Sequence, residues 1–400
     1  MISQIADRIK QFINSGGLTD RVFQASVALT LMKLLLIAGQ KIVLLPSGHD
    51  EVWFLNRSSD LLNFKWLGSY NNMTLIKGMF YPLWIAVAHS AGIPLLISQH
   101  ILYIFACAIT VAALRPWLQS TKTRLLLYAI LLFNPMSYAV VYTTRVMRDS
   151  IYASLTLLIV ACSAGLLLRL DRPLRNVSRW STALGLSLSA FWLTREEGLW
   201  ITPLLFIVIA AAIVLLWKRK LIQWSRIAAI GILPFIILVL CIGAVAGMNK
   251  LRYGIFSTVE LTNSDFLDAY GALSRVKPAY WKPGYPVQKD TREKIYAASP
   301  AFRELKPFLD GQVGDTWTSA SCNYVNLCDD IGGGWFVWAL RDSVASAGHY
   351  TSGSAAMGYY CRLASEINTA CERHQLDCIP TRSTMMPVWH NEYNKPFLDA

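Results

Sequence analysis

Residues 199–247 read LWITPLLFIVIAAAIVLLW, then KRKLIQWSR, then IAAIGILPFIILVLCIGAVAG. Each apolar run has the roughly 20 residues that an α-helix needs to cross a bilayer core. The short loop between them carries Lys218, Arg219, Lys220 and Arg226, the mark of a cytoplasmic connection. This stretch decides the fold class: an all-α membrane protein.

Working outward, similar runs fall at 24–45, 97–114, 125–142, 150–168 and 180–194. With 199–217 and 227–247 they predict a polytopic bundle of about seven spans. Asn134-Pro135 is expected to kink the third run and Pro234 the seventh. The stretch 78–96, GMFYPLWIAVAHSAGIPLL, holds Pro82, Pro94, His89 and Ser90. It suits a re-entrant or interfacial helix better than a straight span. The first 23 residues are mixed and amphipathic, with no cleavable signal peptide, so the first apolar run serves as an uncleaved anchor.

Composition agrees. The 400 residues are 54% hydrophobic and 16% charged, against about 25% charged in soluble domains. The net charge of +12 lies in short loops, and no motif supports nucleic-acid binding. Loop 115–124 carries Arg115, Lys122 and Arg124, and loop 169–179 carries Arg169, Arg172, Arg175 and Arg179. If these face the cytoplasm and 78–96 does not span, the N-terminus (1–23) is cytoplasmic. External loop 46–96 and the tail 248–400 then lie outside. A rival topology, with an external N-terminus and a spanning 78–96, keeps the basic loops inside and exchanges only the N-terminus and loop 46–77. The location read from this is an inner or plasma membrane.

The tail reads as a mainly α soluble domain, with helices expected at 291–309, 335–347 and 355–371 and an extended loop at 277–290. Gly332-Gly333-Gly334 lacks the Lys-Ser/Thr of a phosphate loop and reads as a helix-entry turn. His349, His374 and His390 have no ligand spacing and read as surface residues. Cys107, Cys162 and Cys241 fall in apolar runs, whereas Cys322, Cys328, Cys361, Cys371 and Cys378 fall in the tail. Without a CxxC pair zinc is disfavoured. Local bridges such as Cys322–Cys328 or Cys371–Cys378 are expected, in an oxidising compartment.

Three charged clusters converge on the outer face in the favoured topology. The first is His49-Asp50-Glu51, followed by Lys77; the second is Arg145, Arg148 and Asp149; the third is Arg195-Glu196-Glu197. A solvated loop accounts for any one alone, but two carboxylates beside an Arg exceed what a four-residue turn needs. A carboxylate can take the proton of an attacking hydroxyl, and Arg binds two phosphate oxygens at once. Asp50 or Glu51 is the candidate base. Lys77, Arg145, Arg148 and Arg195 are candidate phosphate contacts, with Glu196 and Glu197 beside them. Lys33 lies deep in the first run and is expected to face other helices or a cavity.

The acidic pair just after the first span, followed by Lys77-Gly78-Met79-Phe80-Tyr81-Pro82, resembles the polyprenyl-phosphate-sugar-dependent GT-C glycosyltransferases. Protein O-mannosyltransferases and lipid A aminoarabinose transferases belong to that group. The likeness is one of layout over residues 24–247, and Tyr81-Pro82 stands where His-Pro-Pro often opens the short helix. It implies a lipid-linked sugar donor, membrane lipids around the bundle and an envelope glycan, lipid or protein as acceptor. It also puts the catalytic role on Asp50, with Glu51 next. No cofactor is implied, a divalent cation is left open, and a partner membrane subunit would complete a short bundle. The competing class is a non-catalytic transporter or scaffold in envelope polysaccharide assembly. The near absence of charge within the runs and the lack of repeated halves weigh against transport.

Overall fold

The structure, a computed structural model, describes residues 21–45, 50–138, 144–390 and 392. It is all-helical, with no strand among these residues beyond two isolated bridges. The chain forms two compact units: the described residues up to Gly68 with Lys77–Ala244, and Ser69–Ile76 with the chain from Val245 onward.

The first unit contains α1 (Arg21–Ala38), α2 (Glu51–Leu62), α3 (Phe80–Ser90), α4 (Leu95–Leu114), α5 (Thr121–Leu132), α6 (Asp149–Leu167), α7 (Leu174–Trp192), α8 (Thr202–Lys218), α9 (Trp224–Gly231) and most of α10 (Leu233–Tyr253). Among the described residues, four helical segments are long and apolar enough to cross a bilayer: Leu95–Leu114, Asp149–Leu167, Gly198–Lys218 and Trp224–Tyr253. Leu35, Phe206, Ile207, Trp217, Val239 and Leu240 are each more than 60% exposed. In water each such side chain would forgo about 1.5–3 kcal/mol of burial, so this is a surface that lipid suits.

The other three expected spans do not meet both criteria. The run 24–45 leaves the helix after Ala38, and Val43 N–H instead bonds the Thr144 carbonyl at 2.8 Å. The run 125–142 stops at Leu132, because Pro135 has no N–H to continue the ladder; residues 139–143 lie outside the described residues. The run 180–194 sits in α7, long enough but opened by the polar Arg175, Asn176 and Arg179. The seventh run breaks between α9 and α10, where Pro234 occupies the first turn. Gly185 of α7 faces that turn, and a Cβ there would lie 3.0 Å from the Pro234 backbone.

Residues 78–96 form no single helix. At 11 residues α3 is only about 16 Å long, half a hydrocarbon core. It ends at Gly92, whose φ of +66° suits only glycine, and Pro94 precedes α4. The loop before it contains the unforeseen helix α2.

Helix α6 packs between α4 and α7. Its C-terminal end meets the basic loops. Arg169 donates to the carbonyls of Ala112 and Ala113 at the end of α4, at 2.6 and 2.8 Å. Arg226 donates to those of Leu170 and Arg172, at 2.7 and 2.8 Å. Cations on C-terminal carbonyls also complement the helix dipole. The charged clusters lie at the other end of α6, about 28 Å away for 19 residues.

In the second unit, α11 (Ser264–Ser274) packs on α17 (Gly353–Glu372). Tyr360, Leu363 and Ile367 recur at helical spacing, all fully buried, with Tyr360 edge-on to Phe266 at 5.0 Å. The expected helix 291–309 is three pieces, Lys289–Ala298, Pro300–Glu304 and Lys306–Leu309. Pro300 and Pro307 cause the breaks, since the residue before proline avoids helical backbone. Between these and the C-terminal helices lies Gln312–Val325, and the Gly332–Gly334 turn leads into Trp335–Ser346. Both local bridges are formed, Cys322–Cys328 and Cys371–Cys378, and Cys361 is an exposed thiol. Two histidines are not simple surface residues. His349 stacks on Tyr359 at 4.0 Å and meets Glu304 at 2.9 Å; His390 stacks on Trp281 at 3.9 Å.

Candidate functional site

Asp50 stands at the N-cap of α2, where Asp normally bonds the backbone N–H groups of the next turn. It makes no such bond, because its carboxylate is paired with Lys77. Glu51 follows in the first helical turn, favoured there by the helix dipole. It is fully buried, and Arg145 grips Oε1 through both Nε, at 2.6 Å, and Nη2. The Val43–Thr144 bond fixes the backbone beside Arg145.

Arg148 immediately precedes α6 and forks onto Glu196, with Nη1–Oε2 at 2.5 Å and Nη2–Oε1 at 3.0 Å. Arg195 reaches Asp149 at 2.9 Å and Glu197 at 3.1 Å, with its guanidinium 5.3 Å from the Tyr152 ring centre. Tyr152 is held by Phe191 stacking at 4.5 Å and by a 2.8 Å hydrogen bond from Trp200 Nε1. Every candidate site residue in the sequence reading therefore enters an ion pair, in four separate groups: Asp50 with Lys77, Glu51 with Arg145, Glu196 with Arg148, and Glu197 with Arg195. His49 lies outside the described residues.

One close approach joins the segments. Gly78 lies against the corner after α7, where a Cβ would fall 2.2 Å from the Leu193 carbonyl oxygen. That oxygen accepts from Phe80 N–H at 2.9 Å. Only glycine allows Lys77 and α3 to sit this near the Thr194–Glu197 turn. Tyr81, fully buried, then accepts from Gln99 Nε2 at 2.9 Å and packs edge-on to Phe54 at 5.0 Å.

The electrostatics differ across the set. Burial pulls the Lys77 ammonium below its usual range, and the Asp50 carboxylate offsets this only in part. For Arg148 burial acts the same way, but the bonded Glu196 outweighs it and raises the pKa. Burial would raise the Glu197 carboxyl; Arg195 and Arg148 outweigh that and hold it low. Four cations face five carboxylates, counting Asp149. Access is unequal: the Asp50 side chain is 37% exposed, whereas Glu51 is sealed. A solute can reach Asp50 but not Glu51, which holds Arg145.

Beside Asp149 a cavity of about 350 Å³ opens among the helices, lined by Gln99, His100, Asn134, Ser137 and Ser150. Lys33, fully buried and expected to face other helices or a cavity, donates to Ser137 at 2.7 Å. The side-chain oxygen Oε1 of Gln99 is buried with no hydrogen-bond partner among the described residues. Gln99 and His100 escaped the sequence reading, although they are a polar pair inside an apolar run and polar groups there are costly. Among the described residues no three His, Cys, Asp or Glu side chains are grouped as a metal site requires. No protein-family model matches the chain, and no curated protein or solved structure does.

Proposed function

We propose that the first unit is a membrane glycosyltransferase of GT-C type that takes a sugar from a polyprenyl-phosphate donor. In this reading the runs 24–45, 125–142 and 180–194 complete seven spans and the segment 78–96 is re-entrant or interfacial. The ion-paired end of α6 faces outward, and the second unit is an extracytoplasmic soluble domain. The observation that carries it is the joining of three distant loops by ion pairs that leave the Asp50 carboxylate, beside the sealed Glu51, accessible. Supporting the orientation are the basic loops at the far end of α6 and the two disulfides of the second unit.

The acceptor hydroxyl loses its proton to Asp50 as its oxygen bonds the anomeric carbon. The bond from that carbon to the phosphate oxygen breaks, and polyprenyl phosphate leaves. Arg195, the most exposed arginine of the set with Arg145, and Lys77 would meet the phosphate. Because carboxylates already balance the cations, phosphate binding must open at least one pair. The cavity beside Asp149, largely apolar with Gln99, His100 and Ser150 in its wall, suits a lipid-linked sugar.

The same balance of charge favours one alternative, a non-catalytic scaffold in envelope polysaccharide assembly whose pairs only lock the loops together. Sealed vesicles containing the chain separate the readings. Single cysteines beside Asp50 and Arg195 should label from one side and one beside Arg219 from the other, and the vesicles should transfer sugar from a lipid-linked donor. Labelling of Asp50 and Arg195 from opposite sides removes the shared centre. Correct sidedness, with no transfer from any polyprenyl-phosphate sugar tested, leaves the scaffold.

A further inference from the structure

Two cavities adjoin in the second unit. One, of about 420 Å³, is walled by Trp281, Tyr285, Pro278 and Pro286, with Thr291 in its lining. The other, of about 280 Å³, is lined by Lys282, Asp290, Asp329 and Asp330. Tyr285 and Gln288 line both, so the cavities share a wall.

The larger cavity offers a flat apolar surface and one unused polar group. Trp281 and His390 stack 3.9 Å apart, with their planes 21° apart, so a ligand ring on Trp281 must take the opposite face of the indole. Thr291 is 2% exposed, and its hydroxyl has no hydrogen-bond partner among the described residues. Buried hydroxyls are ordinarily paired, so this one is placed for something that enters. Gln288 is already committed: it accepts from Lys282 N–H at 2.8 Å and donates to the Tyr280 carbonyl at 2.8 Å. It shapes the 280–282 loop.

The smaller cavity sets charged groups in a largely apolar lining. Asp290 accepts from Ala279 N–H at 2.6 Å, Asp329 meets Lys282 at 3.1 Å, and Asp330 accepts from Lys289 N–H at 2.7 Å. A carboxylate has about four acceptor positions, so each keeps capacity for a hydroxyl. An acyl chain would fill the first cavity and leave the second unused. A small anion would meet three carboxylates in the second, and the cations lining the first, Arg275 and Lys277, already hold Asn368 and Asp377. An oligosaccharide matches both, because its rings carry C–H faces that lie on aromatic planes and hydroxyls that donate to carboxylates.

We propose that the two cavities form one cleft for an oligosaccharide of at least two sugar units. One ring lies on Trp281 and donates a hydroxyl to Thr291 Oγ1; the next donates to Asp290 and Asp329. As the acceptor site this deepens, and rests on, the sugar-transfer reading, whereas binding itself does not depend on it.

The test uses the labelled full chain in detergent on an array of oligosaccharides, with a proline-rich peptide as competitor. Retention on at least one oligosaccharide class is expected. It should fall at least tenfold in Trp281→Ala and in Thr291→Val, recover in Thr291→Ser, and persist in Asp50→Asn. Melting temperature checks that each variant is folded. Absence of retention, equal retention by wild type and both loss variants, or displacement by the peptide overturns the proposal. Retention without sugar transfer by the wild type leaves the cleft standing and removes only the transferase.

Discussion

Two ion-paired regions of this molecule use the same side chains to opposite ends. In the second unit, Arg341 and Glu260 pair at 2.7 Å with 1% and 0% of their side chains exposed. Tyr70 donates to Glu260 at 2.5 Å, Tyr350 reaches it at 3.3 Å, and Arg341 bonds the Asn72 carbonyl. Burial alone would lower the Arg341 pKa, but the surrounding hydroxyls and carboxylate push it up. In the first unit, Asp50 and Arg195 are about a third exposed and surrounded by alternating charge. Sealing makes an ion pair a structural clamp that nothing can enter. Partial exposure leaves a pair that a ligand can exchange into.

The comparison is broken or sharpened first at Asp50. Asp50→Asn keeps the shape and removes the base, so transfer should fall about 10²–10⁴-fold, with a lower melting temperature because the buried Lys77 loses its carboxylate partner. Radiolabelled sugar moved in reconstituted vesicles measures it; full activity would end the role of Asp50.

Next is the clamp. Arg341→Met strands a buried carboxylate and should cost about 3–5 kcal/mol, read by denaturant unfolding. Adding Glu260→Leu should recover most of that, because the stranded charge is then gone. A double variant no better than the single one would mean the loss came from packing.

Gly78→Ala should cost roughly 1–3 kcal/mol through overpacking against Leu193 and lower transfer by separating Lys77 from the Thr194–Glu197 turn. Thermal melting and the same transfer assay report the two effects, and a variant with native values of both would remove this close approach from the site.

The smallest effect belongs to Glu197, which is 59% exposed. Its folded-state pKa lies below the ordinary 4.5, so the unfolded chain takes up its proton first as pH falls. The stabilisation is complete above pH 4.5 and is lost as pH drops through the folded-state value. An exposed pair contributes about 1 kcal/mol or less. The melting-temperature gap between wild type and Glu197→Gln should therefore be small at pH 7 and close on acidification; a gap that widens in acid contradicts the sign.

Much of the fold was legible where one physical rule dominates. Long apolar runs over 97–114, 150–168, 199–217 and 227–247 meet helices that are long and apolar enough to span. The reading overran where backbone chemistry interrupts composition, at Asn134-Pro135 and after Ala38. It missed α2, whose mixed sequence EVWFLNRSSDLL carries too little apolar signal to stand out from a loop. The site residues were visible as excess charge in short loops, but their partners were not. Glu51 meets Arg145 across 94 positions, and Lys77 meets Asp50 across 27.

By itself the sequence determined the helical, lipid-suited character of the bundle and the charged composition of its loops, because periodicity, hydropathy and proline chemistry act within a few residues. Tertiary structure alone decided which carboxylate is sealed and which stays within reach of a substrate. Burial and ion pairing depend on what distant segments bring alongside, and here the Gly78 approach to Leu193 sets that neighbourhood.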